Sequence, residues 1–151
     1  MALYYLETSA LVKLYIYERG TDRLLNLTAS DAGNRFAIFS LAQVEFTAAI
    51  RRRQRSREIG ADDADAVIQS FREHCEGLFL VQPCSDAVLD VAMALLDAYA
   101  LKGYDSMQLA AYLTLRSIAG IEEPIFVCAD GALLTAARME GCATMNPELT
   151  N

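Results

Sequence analysis

The sequence predicts an α/β fold in which an open parallel sheet has helices on both of its faces. Short apolar runs rich in β-forming residues alternate along the chain with longer segments of helical period. Most of these runs are nearly continuous in hydrophobic residues, as is typical of parallel strands covered on both faces. The 151 residues contain no Pro/Gly/Ser-rich linker and no internal repeat, which indicates one domain over residues 1–151.

Five apolar runs are the predicted strands. They are Leu3–Leu6, Arg35–Phe39, Leu78–Val81, Ile125–Cys128 and a weaker run at Cys142–Met145. The clearest helical pattern covers Asp86–Ala100, where an apolar face lies opposite three aspartates. The predicted apolar face consists of Val88, Leu89, Ala92, Leu95, Leu96 and Tyr99.

Two further helix starts are predicted from the spacing of a capping box. Ser40 is followed three residues later by Gln43, and Asp105 is followed three residues later by Gln108. We therefore expect one helix to begin directly after Ser40 and another, Ser106–Ala119, to begin directly after Asp105.

Composition excludes several classes of protein. Hydrophobic residues make up 54% of the chain, which is too many for a disordered protein. No apolar run reaches the roughly 18 residues that a membrane-spanning helix needs, and the N-terminus lacks a signal-peptide pattern, so a soluble cytoplasmic protein is expected. The four cysteines form no C-x-x-C pair, which favours unpaired structural thiols in a reducing compartment.

Several common catalytic mechanisms are excluded because the sequence lacks the residues or motifs that they need. The only histidine, His74, stands beside Cys75 on a predicted helix, where adjacent side chains diverge, so we expect it to be structural. The chain has no G-x-S-x-G, G-x-G-x-x-G or P-loop motif. No aspartate follows the third predicted strand, which argues against a phospho-acceptor domain.

Four carboxylates stand apart from the other acidic residues, which have ordinary places on polar helix faces, first turns or loops. Glu7 directly follows the first strand, Asp130 follows the fourth and opens a helix, and Asp105 opens another helix. The carboxyl ends of parallel strands are where binding crevices form in an open α/β sheet. Taken singly, Asp105 and Asp130 are better interpreted as simple N-caps.

Glu45 is predicted to lie on or beside the buried stripe of its helix. Its neighbours one turn away on either side are Leu41, Ala42, Ala48 and Ala49. Burial of an unpaired charge is costly, so either a bound cation or an ion pair with a distant arginine is expected. A cation fits better because no Lys or Arg lies within one turn on that face.

An oxygen-only set of ligands suits hard cations such as Mg²⁺ or Mn²⁺, and such cations activate water for cleavage of phosphodiesters. Thr8 and Ser9 could add a hydroxyl ligand, or they could cap the following helix. The net charge is −7, but five arginines form a basic run that could hold phosphates or could simply face solvent at a helix C-terminus. They are Arg51, Arg52, Arg53, Arg55 and Arg57.

Four segments together resemble the signature blocks of PIN domains of the VapC-type toxins. They are YYLETSALVKLY with Glu7, SLAQVEFTAAI with Glu45, LKGYDSMQLAAYL with Asp105, and FVCADGALLTAARMEGC with Asp130. The resemblance covers nearly the whole chain in the right order. It implies a three-layer α/β/α fold around a parallel sheet of about five strands. It also implies Mg²⁺- or Mn²⁺-dependent endoribonuclease activity at these four carboxylates, and a frequent homodimer.

The resemblance also implies a partner. A cognate antitoxin is expected to lay a peptide over the acidic cleft and over an apolar surface formed by Leu11, Leu14, Tyr15 and the segment Leu24–Leu27; the alternative for these residues is core packing. One residue departs from the family, which usually has aspartate at the position of Glu7. The longer side chain leaves a second hypothesis open, namely an impaired PIN-like module that binds RNA or protein without cleaving RNA.

Overall fold

A parallel sheet of five strands forms the centre of the molecule. The computed structural model describes residues 1–120 and 122–149. The strands are β1 (Leu3–Leu6), β2 (Arg35–Phe39), β3 (Leu80–Gln82), β4 (Ile125–Val127) and β5 (Thr144–Met145). They lie in the order β3–β2–β1–β4–β5, and every neighbouring pair is parallel. The predicted α/β fold with five parallel strands is therefore confirmed.

The helices form two groups. Those of the described chain are α1 (Thr8–Lys13), α2 (Thr21–Leu27), α3 (Ala42–Arg55), α4 (Ala61–Gly77), α5 (Asp86–Ala98), α6 (Gly103–Ala119) and α7 (Gly131–Met139), with a 3-10 helix at Ser30–Ala32. Helix α3 packs against α1 and α4, and α6 packs against α5 and α7, which gives the predicted α/β/α layers. Within the described residues, no helix is both long and apolar enough to cross a membrane.

Aromatic side chains fill the core on both sides of the sheet. Tyr5 of β1 stacks on Phe126 of β4 with ring centroids 5.7 Å apart, and the edge of Tyr112 from α6 packs against both. Phe46 of α3 contacts Phe71 of α4 at a centroid distance of 4.0 Å. These contacts hold α3 and α6, the two helices that carry Glu45 and Asp105, against their neighbours.

Strand and helix ends differ from the prediction by one to two residues at several places. Strand β3 begins at Leu80 rather than Leu78, because the backbone N–H groups of Leu78 and Phe79 still bond to His74 at the end of α4. Strand β4 ends at Val127, β5 begins at Thr144, and α5 ends at Ala98. The apolar face of α5 is narrower than predicted, since Leu89 and Leu96 are each 42% exposed.

Both predicted capping boxes are wrong. The side chain of Ser40 accepts a hydrogen bond from the backbone N–H of Cys84 at 3.1 Å, so it is not available to cap α3, which begins at Ala42. Helix α6 begins at Gly103, and Asp105 lies inside its first turn rather than before it. The side chain of Gln108 faces the core. In both cases a tertiary hydrogen bond replaces the local one.

All four cysteines are free, as predicted. Cys128 and Cys142 are buried, Cys75 is half-buried and Cys84 is exposed. His74 is exposed, but its Nδ1 lies 2.5 Å from the hydroxyl of Tyr15 and its ring contacts the ring of Phe79.

We predict that Phe46→Ala lowers the free energy of unfolding by about 3–5 kcal/mol, because it leaves a cavity between α3 and α4. Urea denaturation followed by circular dichroism measures this loss. The control is Val44→Ala on the same helix, where the side chain is 67% exposed and the change should stay within about 0.5 kcal/mol. Equal effects of the two substitutions would contradict the packing described here.

Candidate active site

An acidic cleft of about 430 Å³ opens at the carboxyl ends of β1 and β4. The strands β1 and β4 are neighbours in the sheet. The chain places β2 and β3 on one side of β1 and then β4 and β5 on its other side, so the strand order reverses between β1 and β4. Such a reversal leaves a crevice between the loops that follow the two strands. The residues that line the cleft include Glu7, Thr8, Ser9, Glu45 and Asp130.

Glu7 connects β1 to α1 and caps the helix with its own side chain. Its Oε2 accepts a hydrogen bond from the backbone N–H of Ser9 at 2.9 Å and another from the Ser9 hydroxyl. The expectation that Thr8 or Ser9 caps this helix is therefore wrong, because Glu7 occupies the N-cap position. Burial raises the pKa of the Glu7 carboxyl, although the Ser9 hydrogen bonds oppose this shift.

Ser9 also joins the two loops of the cleft. Its hydroxyl oxygen accepts a hydrogen bond from the backbone N–H of Ala129 at 3.1 Å, so one side chain connects the segment after β1 with the segment after β4. The next residue, Asp130, caps α7 through a 2.9 Å hydrogen bond from the Leu133 N–H to Oδ1. The prediction that Asp130 opens a helix is confirmed.

Asp105 approaches the same region from α6 and is half-buried. Burial raises the pKa of its carboxyl, the negative charge of Asp130 raises it further, and Glu45 adds a smaller effect. The negative charge of Asp105 in turn contributes to the raised pKa of Glu7. The negative charge of Asp105 is therefore repelled by Asp130 and Glu45 and acts on Glu7, although the four carboxylates come from four separate segments of the chain.

Glu45 lies in the first turn of α3, at the border of the buried stripe rather than within it. Ala42 is buried and Ala49 is half-buried, but Ala48 is exposed. In the described parts of the chain, none of the ion pairs involves Glu45, so the alternative of a buried pair with an arginine is not observed. Glu45 instead lines the acidic cleft.

The fit of this site to a metal ion can be judged from its donor atoms. Among residues 1–120 and 122–149, no three Asp, Glu, His or Cys side chains are grouped closely enough to hold an ion as they stand. Mg²⁺ keeps several waters and needs only one or two direct carboxylates, however, and mutually repelling carboxylates favour a cation between them. The oxygen-only donor set therefore fits Mg²⁺ or Mn²⁺ chemically.

The predicted basic run does not act as one patch. Arg52 and Arg53 border the acidic cleft at the end of α3. Arg51 forms a 2.8 Å ion pair with Asp65 of α4 and lies with Arg55 along a different cleft. Arg57 is exposed beyond the end of the helix. Helical rotation separates these side chains, since successive residues point in different directions.

A buried lysine on the rim of the cleft was not singled out by the sequence. Lys13, which is 4% exposed, lies 3.1 Å from Glu18 and 2.9 Å from Glu148. Glu18 also binds Arg53 at 3.0 Å, so four charges form a chain of ion pairs. Glu148 is distant in sequence, and no local pattern could have predicted this contact.

Tyr104 and Gln108 were also missed as parts of the site. Burial, together with the charges of Glu45 and Glu7, raises the pKa of Tyr104 to about 12, although hydrogen bonds from neighbouring side chains oppose the shift. The phenol is therefore neutral and close to both carboxylates. Its position directly before Asp105 was the one available signal.

Only some of the apolar residues that were predicted to form a partner surface are accessible. Leu11 and Leu24 are buried in the core, as the alternative interpretation held. Leu14, Tyr15 and Leu25 line an apolar cleft of about 500 Å³.

Comparison with known proteins supports the fold. No protein-family model and no curated protein matches the sequence. Two solved structures match along nearly the whole chain. One is a toxin–antitoxin complex from Klebsiella pneumoniae, with 18% identity, coverage of 97% of this chain and 98% of that chain, and a TM-score of 0.65. The other is VapBC2 from Rickettsia felis bound to a promoter DNA fragment, with 13% identity, coverage of 95% and 98%, and a TM-score of 0.63.

The chain has the fold of these toxin–antitoxin structures. The predicted resemblance to VapC-type PIN domains is thereby confirmed at the level of the fold, over 95–97% of the chain.

We predict that Asp105→Asn raises the melting temperature of the metal-free protein at pH 7. The folded state raises the pKa of this carboxyl, so it favours the protonated form, and stability is lost as pH rises through the folded-state pKa. The uncharged asparagine side chain of the variant does not ionise, so this loss of stability does not occur in the variant. Differential scanning calorimetry in a chelating buffer measures the difference, which should shrink at about pH 3, where carboxyl groups become protonated.

The control for this prediction is Asp90→Asn, because Asp90 is exposed on α5. That substitution should leave the melting temperature nearly unchanged at either pH. A lower melting temperature for Asp105→Asn at pH 7 would mean that its carboxylate stabilises the fold, contrary to the repulsion described above.

Proposed function

We propose that this protein is a divalent-metal-dependent endoribonuclease and the toxin of a toxin–antitoxin pair. The observation that carries the proposal is the cleft where the strand order reverses, which is lined by Glu7, Glu45 and Asp130 and whose negative charge acts on Asp105. The fold shared with toxin–antitoxin structures supports the same function.

The four carboxylates would hold Mg²⁺ or Mn²⁺. A bound cation of this kind would supply an activated water and stabilise charge on the attacking and leaving oxygens of a phosphodiester. The residues of this chain have three tasks. Ser9 orients the Glu7 carboxylate through two hydrogen bonds, and Thr8 presents a hydroxyl on the wall of the cleft. The negative charges of Asp130 and Glu45, which add to the effect of burial in raising the pKa of Asp105, create a potential that attracts a cation.

RNA phosphates would be held by Arg52 and Arg53 at the end of α3. Both border the cleft, and Arg53 is kept in place by its 3.0 Å ion pair with Glu18. These cations offset the repulsion between RNA and a protein of net charge −7. Only RNA that extends beyond the cleft would contact Arg51, Arg55 and Arg57.

A cognate antitoxin would occupy the apolar cleft next to α1. Leu14, Tyr15 and Leu25 line it together with Phe36 and Phe79, which gives a mostly apolar cavity of about 500 Å³ for side chains of a peptide. We also propose that the protein forms a homodimer and acts in the cytoplasm.

A second candidate function is a PIN-like module that binds RNA or protein without cleaving it. Two observations favour it. The Glu7 carboxylate is already engaged as a helix cap, and the described residues contain no ready group of three metal ligands. Titration with Mn²⁺ separates the two candidates, because the binding module should neither take up the ion in the cleft nor cleave RNA.

We predict that Asp105→Asn lowers Mg²⁺-dependent RNA cleavage by at least about 100-fold, since it removes a metal ligand. Glu7→Asp is expected to keep or raise the activity, because a shorter carboxylate restores the residue usual in PIN domains. Cleavage of labelled RNA followed on denaturing gels measures both variants, with Asp90→Asn as the control.

An Asp105→Asn variant as active as the parent would contradict the metal mechanism. Cleavage of RNA at equal rates with and without a chelator would contradict it as well.

We predict that Arg52→Ala weakens RNA binding and flattens its salt dependence. Loss of one contact with a phosphate of single-stranded RNA should reduce the slope of log affinity against log salt by about 0.7. Fluorescence anisotropy at several salt concentrations measures this slope. The matched control is Arg51→Ala, because Arg51 is paired with Asp65 outside the acidic cleft. Equal slopes for the parent and Arg52→Ala would indicate that Arg52 faces solvent and does not contact a phosphate.

A further inference from the structure

A buried side-chain amide links three hydroxyl groups beside the acidic cleft. Gln108 of α6 is fully buried, and its Oε1 accepts a hydrogen bond from the Tyr5 hydroxyl at 2.8 Å. Its Nε2 donates to Thr8 Oγ1 at 2.9 Å and to Tyr104 Oη at 3.0 Å. This amide therefore connects β1, α1 and α6 next to Glu7 and Asp105, and both of its amide hydrogens are used within the protein.

The direction of these hydrogen bonds decides which protons remain for a ligand. Tyr5 faces two acceptors, Oε1 and the backbone oxygen of Gln108 at 3.0 Å, so Tyr5 donates its proton to Gln108. Thr8 and Tyr104 accept from the amide, and each therefore keeps its own hydroxyl proton. The two hydroxyl oxygens are 3.4 Å apart, and when Thr8 donates to Tyr104 in this contact the Tyr104 proton is left for a group outside the network.

The nearby carboxylates favour this direction over the reverse. With the amide turned over, the protons of Thr8 and Tyr104 would point at Gln108 and away from the cleft. Glu7 and Glu45 both act electrostatically on the Tyr104 hydroxyl. A negative charge is stabilised by O–H dipoles that point towards it, so the acidic cleft favours hydroxyl protons that face outwards from the amide.

We propose that Tyr104 donates a hydrogen bond to a phosphate oxygen of the RNA, and that Gln108 is the positioning residue that directs its hydroxyl there. The proposal rests on the proposed function, because the ligand is the RNA backbone. A neutral donor suits this place, since a lysine or arginine here would cancel the negative charge that attracts a metal ion. Arg52 and Arg53 lie on α3, so the phosphate would be held from two different helices.

The test compares Tyr104→Phe with Tyr99→Phe. Both changes remove one phenol hydroxyl from a half-buried tyrosine, but Tyr99 donates to Glu140 away from the cleft, at 3.2 Å. Binding of an unstructured, fluorescent oligoribonucleotide in Ca²⁺ buffer is measured by anisotropy, with gels to show that the RNA stays intact. We expect Tyr104→Phe to weaken binding about tenfold and Tyr99→Phe to leave it unchanged.

Affinity for Mn²⁺, measured by calorimetry without RNA, separates this role from a merely structural one. Tyr104→Phe should keep the Mn²⁺ affinity of the parent while it loses RNA affinity. Gln108→Met, which removes the amide donors but keeps the size of the side chain, should also weaken RNA binding. Equal RNA binding by Tyr104→Phe and Tyr99→Phe overturns the proposal. So does a parallel loss of Mn²⁺ and RNA affinity in Tyr104→Phe, because that indicates displacement of Asp105.

The outcomes also separate this inference from the proposed function. A parent that cleaves RNA, with Tyr104→Phe binding normally, keeps the ribonuclease proposal and overturns the role of Tyr104. A parent that never cleaves but binds RNA in a Tyr104-dependent way supports the inference and overturns the ribonuclease proposal. A parent that binds no RNA overturns both.

Discussion

Parallel pairing of β1 with both β2 and β4 is the constraint on which the site depends. The pairing of Leu6 with Val127 is followed by a 3.0 Å hydrogen bond from the Glu7 N–H to the Val127 carbonyl, which extends the ladder by one residue. Glu7 is thereby placed at the level of the loop that carries Asp130. Because β1 is the central strand and most of its residues are buried, Glu7 is anchored to the middle of the sheet.

Placing like charges together opposes folding, and the structure offsets this in several ways. Glu7 and Asp130 each accept hydrogen bonds from the N-terminus of a helix, where the dipole also favours negative charge. The chain of ion pairs from Arg53 through Glu18 and Lys13 keeps two cations next to the cleft without neutralising it. A bound cation would relieve the remaining repulsion, so stability and the proposed function would make opposite demands on these carboxylates.

The parts of the fold that depend on local patterns could be predicted from the sequence. Buried parallel strands have a distinctive composition, and β1 and β2 were predicted with their observed ends. The capping prediction was wrong at Ser40 because its hydroxyl binds the distant Cys84 N–H, and at Asp105 because α6 already begins at Gly103. The arginine run was treated as a unit, although helical rotation alone separates Arg51 from Arg52. The role of Glu7 as a cap was missed because propensity disfavours glutamate there.

The pair between Lys13 and Glu148 joins residues 135 positions apart. One wall of the cleft, with Glu7 and Glu45, is encoded early in the chain, but Asp130 and Glu148 are encoded late. During synthesis, the cleft therefore remains without its second wall until residues 130–148 have left the ribosome. Closure over so long a stretch of chain is slow compared with the formation of local helices. The order of these residues along the chain thus makes assembly of the cleft one of the later steps in the folding of residues 1–149.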